Sequence, residues 1–209
     1  MTLQSLEKIG ARAQTFLLLA SREQGKWEKK LSLKKAVSVA SRLKDEKSMI
    51  QGLLSLGQIL IETKEHSEAI QNVERAQIAL SQSESRNIFK DKIEEARLRL
   101  EACATLATCY RAVGDHRKTI NVANLGSSLA RQVNNPDVEF HCLGEEGRAH
   151  QALKEWSFAL DKFKSQRELL TLSSLPIAWA DCLLGIADCL IALDNSPEAI
   201  EVLLVSLSK

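Results

Sequence analysis

Leu106-Ala107-Thr108-Cys109-Tyr110-Arg111-Ala112-Val113-Gly114-Asp115 carries a stripe of apolar and small residues into a Gly-Asp break, and His116-Arg117-Lys118-Thr119-Ile120 opens a second stripe behind it. The same break and restart occurs at residues 64–70, 154–160 and 194–200, which puts Ala69, Thr119, Ala159 and Ala199 at intervals of 50, 40 and 40. A weaker copy, Gly25-Lys26-Trp27-Glu28-Lys29-Lys30-Leu31, stands 39 residues ahead of the first of these. Twelve residues upstream of the four aligned positions sit Gly57, Ala107, Gly147 and Ala187, all small; Leu18 breaks the rule in the weak copy. Around these anchors the apolar residues recur at the spacing of one helical face: Leu53, Leu56, Gly57 and Leu60, then Ala69, Ile70, Val73, Ala76 and Leu80. Each unit therefore reads as two amphipathic helices joined by a short turn, which makes them antiparallel neighbours. The paired small residues let the two helices approach closely. One pair alone cannot bury its apolar faces, but stacked pairs can.

Composition agrees with an all-α reading. Nine Gly, three Pro and 4% aromatic residues are too few for a chain that must turn every 8–12 residues between strands. Pro136 and Pro176, 40 apart, each precede a predicted helix, where the first position tolerates proline. Lys and Arg number 28 against 27 Asp and Glu, which excludes a globally basic nucleic-acid binder. The longest apolar runs, such as Phe16-Leu17-Leu18-Leu19-Ala20, are far short of the roughly 20 residues that cross a bilayer, and no secretory signal opens the chain. Five cysteines without a CxxC pair, all in apolar helical stretches, read as small hydrophobes in a reducing, cytoplasmic setting.

The Leu106–Asp115 stretch, with Leu, a small residue, Tyr and then Gly at the turn, resembles the tetratricopeptide signature. Leu56-Gly57 and Leu60, followed by Ala69, Val73 and Ala76, are similar to the rest of that pattern. His150 stands where the pattern has Tyr, and Gln166 and Ser206 where it has Ala. The resemblance spans about residues 11–208 and implies a right-handed α-solenoid, one domain over 1–209 with five helix pairs near 2–45, 46–83, 88–134, 136–173 and 176–208. A period of about 40 rather than 34 resembles the long-helix subgroup found in Pins-type polarity proteins, rapsyn and kinesin light chains. The 50-residue interval is read as a loop over 81–87 followed by a long helix over about 88–113.

No hydrolase, nucleotide-binding, zinc-protease or Gly-rich phosphate motif is present, so the chain reads as a non-enzyme with no cofactor. His66 and His116 occupy equivalent turns and read as solvated. His141 and His150 lie nine apart on one helix and cannot share a metal ion from a single turn, and no set of four convergent zinc ligands is apparent. Cys109 and Cys189 hold equivalent packing positions, and Trp27 and Trp156 equivalent positions at the start of second helices, where packing at the turn is expected. Trp179 is expected to bury between adjacent units.

Charge is segregated along the chain. Residues 1–50 hold eleven Lys and Arg against five acids, and residues 171–209 one Lys against five acids. Lys26, Lys30 and Lys34 are spaced i, i+4 as one ridge, read as a solvated outer face rather than as a nucleic-acid stripe, since no aromatic residues interleave for base stacking.

The resemblance also places function. In tetratricopeptide arrays the first helices line a concave groove, and the projecting positions here include Gln51, Leu54, Gln58 and Glu62, then Glu101 and Arg111, then His141, Gly144, Glu145 and Arg148, then Asp181 and Asp188. Chaperone-binding members hold carboxylates with Lys/Asn and Lys/Arg pairs one turn apart. The pairs here read Leu54/Gln58, Ala104/Thr108, Gly144/Arg148 and Leu184/Asp188, of which only Arg148 fits. The expected function is a protein-binding adaptor holding a segment of mixed charge. Arg111 and Arg148 would meet acidic groups, and Glu62, Glu101 and Glu145 basic ones, all from exposed positions whose substitution leaves folding intact. The alternatives are an architectural subunit of a cytoskeletal or ciliary assembly and, behind it, an RNA-binding helical repeat. The last helix, over about 196–207, is apolar nearly all round, which implies further repeats, a partner or a second copy covering it.

Overall fold

The computed structural model describes residues 3–23, 25–86, 88–89, 91–169 and 176–207. Those residues form ten α-helices and no strand: α1 (Leu3–Arg22), α2 (Lys26–Leu43), α3 (Glu46–Glu62), α4 (His66–Arg86), α5 (Lys92–Ala112), α6 (His116–Gln132), α7 (Pro136–Ala152), α8 (Trp156–Leu169), α9 (Pro176–Ala192) and α10 (Ser196–Leu207). The fold is an all-α repeat of antiparallel helix pairs. Two compact units are present, Met1–Cys109 and Tyr110–Lys209. In the first, Ala20, Leu33, Leu56, Ile59, Leu60, Ala69 and Cys109 form a buried cluster. In the second, a cluster built on Phe163, Leu183, Ile186 and Leu190 is flanked by Trp156, Leu160 and Trp179.

The turns repeat as closely as the helices do. Lys44, Lys64, Gly114, Asn134, Lys154 and Asp194 all have positive φ, and within each run they are spaced by 20 residues or a multiple of it. Each helix before them ends the same way. At the α3–α4 turn, Lys64 N–H donates to the Ile61 carbonyl at 2.9 Å and Glu65 N–H to the Leu60 carbonyl at 2.8 Å. This is the left-handed cap that satisfies carbonyls left over at a helix end. The next residue starts the following helix. Asp45, Asp115 and Asn135 accept from the backbone N–H of Ser48, Lys118 and Val138 respectively.

Small residues bring the helices together as the spacing predicts. A Cβ on Gly57 would stand 2.4 Å from Val73 Cγ2, and one on Gly147 2.9 Å from the Phe163 ring. Ala69, Thr119, Ala159 and Ala199 are all buried, and Thr119 returns its hydroxyl to the Asp115 carbonyl. The N-terminal copy is in register at 40 residues, not 39. Ala13 and Ala20 are buried as Leu53 and Leu60 are, so Leu17 rather than Leu18 stands in the place of Gly57.

Several sequence expectations are overturned. Residues 81–86 are helical: the Ser81 hydroxyl bonds the Ile78 carbonyl within the helix, and that of Ser83 donates to the buried Glu95 carboxylate of α5, which ties this last turn to the next helix. Ile88 and Phe89 lie outside the helices, and α5 begins only at Lys92; Phe89 is buried, with the Lys47 ammonium over its ring.

The Lys26–Lys30–Lys34 ridge is solvated at Lys26 and Lys34, which are exposed, but not at Lys30. Lys30 is 6% exposed and bonds the Glu65 carboxylate at 2.6 and 2.7 Å, while Lys26 pairs with Glu62 and Lys34 with Glu68. The i, i+4 spacing serves a ladder of ion pairs from α2 to the α3–α4 turn.

Trp156 packs against the second core, but Trp27 is 72% exposed beneath the Lys30 ammonium. The turn histidines are half-buried. Nδ1 of both His66 and His116 is buried and meets no hydrogen-bond partner among the described residues. All five cysteines are buried, and none is in a disulfide. Burial pushes the thiols of Cys103, Cys182 and Cys189 up to about 11, which makes them inert packing groups.

Candidate functional site

The first helices of the pairs, α1, α3, α5, α7 and α9, carry the candidate binding residues, and each unit is best described by itself.

In the first unit the first-helix side holds an open cleft of about 340 Å³. Gln51, Ser55 and Gln58 from α3, Glu101 from α5, Ser21 from α1 and Lys29 from α2 supply its polar lining, with Leu17 and Leu98 among its apolar walls. Helical spacing explains the lining: residues 51, 55 and 58 lie one turn apart on a single face. The amides are held in place. Gln58 Nε2 donates to Glu101 at 2.8 Å and Gln51 Nε2 to Glu94 at 3.2 Å, and Glu94 also takes Lys47. Burial raises the Glu101 pKa, so that carboxylate is poorly solvated where it stands. Two expected lining residues are elsewhere. Leu54 is fully buried in the core, and Glu62 is committed to Lys26.

In the second unit the central feature is Glu145, which is 2% exposed. Arg111 Nε donates to its Oε2, and Arg148 Nη2 to its Oε1 at 3.0 Å. Burial opposes ionisation, but the Arg111 hydrogen bond and the charges of Arg148, Arg111 and His141 outweigh it and hold the carboxyl below its ordinary range. Glu145 is therefore an internal anchor and is not presented to a ligand. Both arginines keep about a third of their side chains in water and have N–H groups beyond those given to Glu145. Gly144 is buried, because Gln166 covers it. His141 is half-buried beside the triad, and Asp181 and Asp188 are exposed on α9.

The sequence reading missed how α7 buries its acids. Glu139 pairs with Arg131, and Glu146 with Lys162 at 2.9 Å. The cluster Glu139, Glu145, Glu146 on one helix was visible as a loss of apolar period, but only the structure places a cation against each.

Among the described residues, no group of three or more His, Cys, Asp or Glu side chains is placed to hold a metal ion, and no helix is long and apolar enough to cross a membrane. The turns, small-residue contacts and pairing define a tetratricopeptide-type repeat fold. No protein-family model matches the sequence, and no curated protein matches it significantly. Solved structures do. A Podosopora anserina protein of nearly identical TPR-like repeats, assigned as a kinesin light chain, superposes with a TM-score of 0.72 at 13% identity over 99% of this chain and 96% of its own. A second structure of that protein gives 0.70 at 15% identity, covering 97% and 95%. The signal transduction ATPase with numerous domains from Pyrococcus horikoshii, which carries a tetratricopeptide repeat sensor, gives 0.73 at 15% identity, covering 99% of this chain and 32% of that one.

Proposed function

We propose that this chain is a non-enzymatic adaptor that binds a protein segment on the first-helix faces of its repeats. The observation that carries the reading is the cleft of the first unit. It is open, walled by Leu17 and Leu98, and lined by the Lys29 ammonium and by amides and a carboxylate whose positions are fixed by internal hydrogen bonds. Such a mixture suits an extended or helical segment, with apolar side chains against the walls and backbone or basic groups against Gln58 and Glu101. The half-exposed guanidiniums of Arg111 and Arg148, with Asp181 and Asp188 nearby in sequence order on the next first helix, give the second unit a lining of both signs. The Pyrococcus protein uses a repeat of this type as a sensor, which is in keeping with recognition rather than chemistry.

Nucleic acid is the poorer fit. Four of the cations in residues 1–50, Lys26, Lys30, Lys34 and Lys47, are engaged by carboxylates of the same unit. A cytoplasmic adaptor is the setting that matches buried cysteines in no disulfide.

The test is comparative capture of a partner from lysate with the wild-type chain and with Gln58→Ala/Glu101→Ala. The double variant should lose the partner while keeping its helical circular dichroism. Retention of the partner at wild-type level would remove the cleft from the account.

A further inference from the structure

We propose that the α9–α10 end of one chain docks on α1 of a second copy, head to tail, so that the chain propagates its own repeat between molecules. The 40-residue register carries the argument. In the α7–α8 pair three positions face the next pair. Gln151 reaches the Gly185 carbonyl and Cys189 Sγ on α9 at 3.4 and 3.5 Å, Leu160 packs on the core cluster that α9 carries, and Lys164 approaches Glu198 at the start of α10 at 3.7 Å. Forty residues on, the same positions are Ile191, Ile200 and Leu204. These are 53%, 57% and 60% exposed. The surface used by one pair to hold the next thus recurs at this end, uncovered and with its polar members replaced by apolar ones.

The other half of the contact is on α1. Cys189, which receives Gln151, is equivalent to Ala149, Cys109 and Ile59, and all four are buried. The next member of that series is Leu19, which is 45% exposed. Ile191 of one copy would then lie against Leu19 of the next as Gln151 lies against Cys189.

Charge selects a second copy as the occupant. Asp181 and Asp188 flank the exposed Leu184 and Ile191, Arg22 is exposed one turn from Leu19, and residues 171–209 hold five acids against one Lys, whereas residues 1–50 keep seven cations against five acids once the four paired within their own unit are set aside. Two different surfaces meet in such a contact, so each copy can take one neighbour at either end and assembly goes beyond a dimer.

The test is analytical ultracentrifugation of three proteins: wild type, Leu19→Glu, and Ile191→Glu/Leu204→Glu, with helicity checked by circular dichroism. The wild-type weight-average mass should rise with concentration. Each variant alone should be monomeric, since one of its two faces is lost. An equimolar mixture of the variants should give a 1:1 dimer and nothing larger, because one intact face remains on each. A wild type that stays monomeric to millimolar concentration overturns the proposal, even if the end still binds an apolar dye or an added helix. So do variants that associate as the wild type does, and a mixture that stays monomeric.

Discussion

Glu145 is the residue where recognition and stability meet. A carboxylate 2% exposed with two arginines on it is a structural anchor, and the arginines can offer a ligand only what Glu145 leaves. Reversal of Arg111 and Arg148 to Glu therefore acts on folding as well as binding, because it strands a buried charge among like charges. Glu145→Gln is the cleaner probe. Removing one member of a buried ion pair typically costs 3–5 kcal/mol, and the part-exposed arginines bring the expected loss at pH 7 down to about 2–3 kcal/mol. Its folded-state pKa is depressed, so this stability is present above the unfolded value near 4.5 and is lost as pH falls through the folded value. Urea denaturation should show wild type and Glu145→Gln far apart at pH 7 and converging in acid. A gap that stays constant below pH 4 would mean that the carboxylate charge is not what stabilises. At Gly57 the issue is space. Val73 Cγ2 lies 2.4 Å from where a Cβ would go, and Gly57→Ala should cost about 1–3 kcal/mol by overpacking, less the roughly 1 kcal/mol that alanine gains over glycine in a helix. A thermal melt measures the balance.

At the scale of the element, the turn sets the repeat. Lys64, Lys154 and Asp194 hold the left-handed conformation that Gly114 adopts without a Cβ penalty. Lys154→Gly should raise stability by about 0.5–1 kcal/mol, the strain relieved minus the entropy that glycine adds to the unfolded chain. Asp115→Ala, which removes the cap on Lys118 N–H, should lower it by about 1 kcal/mol. Both are read from urea midpoints at constant slope. These turns also show what the sequence could and could not say. The break at Gly114-Asp115 was legible because glycine and a capping residue mark it, and the small-residue pairs were legible because a helix contact needs them. The ion-pair ladder from Lys26, Lys30 and Lys34 was not, because an i, i+4 row of lysines has the same pattern on an outer face as against the next turn. The α4 extension was missed because serine, a common loop residue, can instead bond its own helix carbonyl, as Ser81 does, or an acid far along the chain, as Ser83 does with Glu95.

For the whole molecule, the choice is between a chain that recognises its partner on its first helices and one that does so on its second helices. The lining positions Gln58 and Asp188 are exposed on first helices, one in each unit, while Trp27 and Ile78 are exposed on second helices. The candidate site was legible as a set of positions, since the tetratricopeptide register names them. Which of them were already occupied by internal partners was not, because Glu62 finds Lys26, and Glu145 finds Arg111, more than thirty residues away in sequence. The decisive measurement is photo-crosslinking from a benzophenone side chain placed singly at Gln58, Asp188, Trp27 and Ile78, in the presence of the captured partner. The account predicts partner adducts from positions 58 and 188 and none from 27 and 78. Adducts from 27 and 78, with 58 and 188 silent, would contradict it.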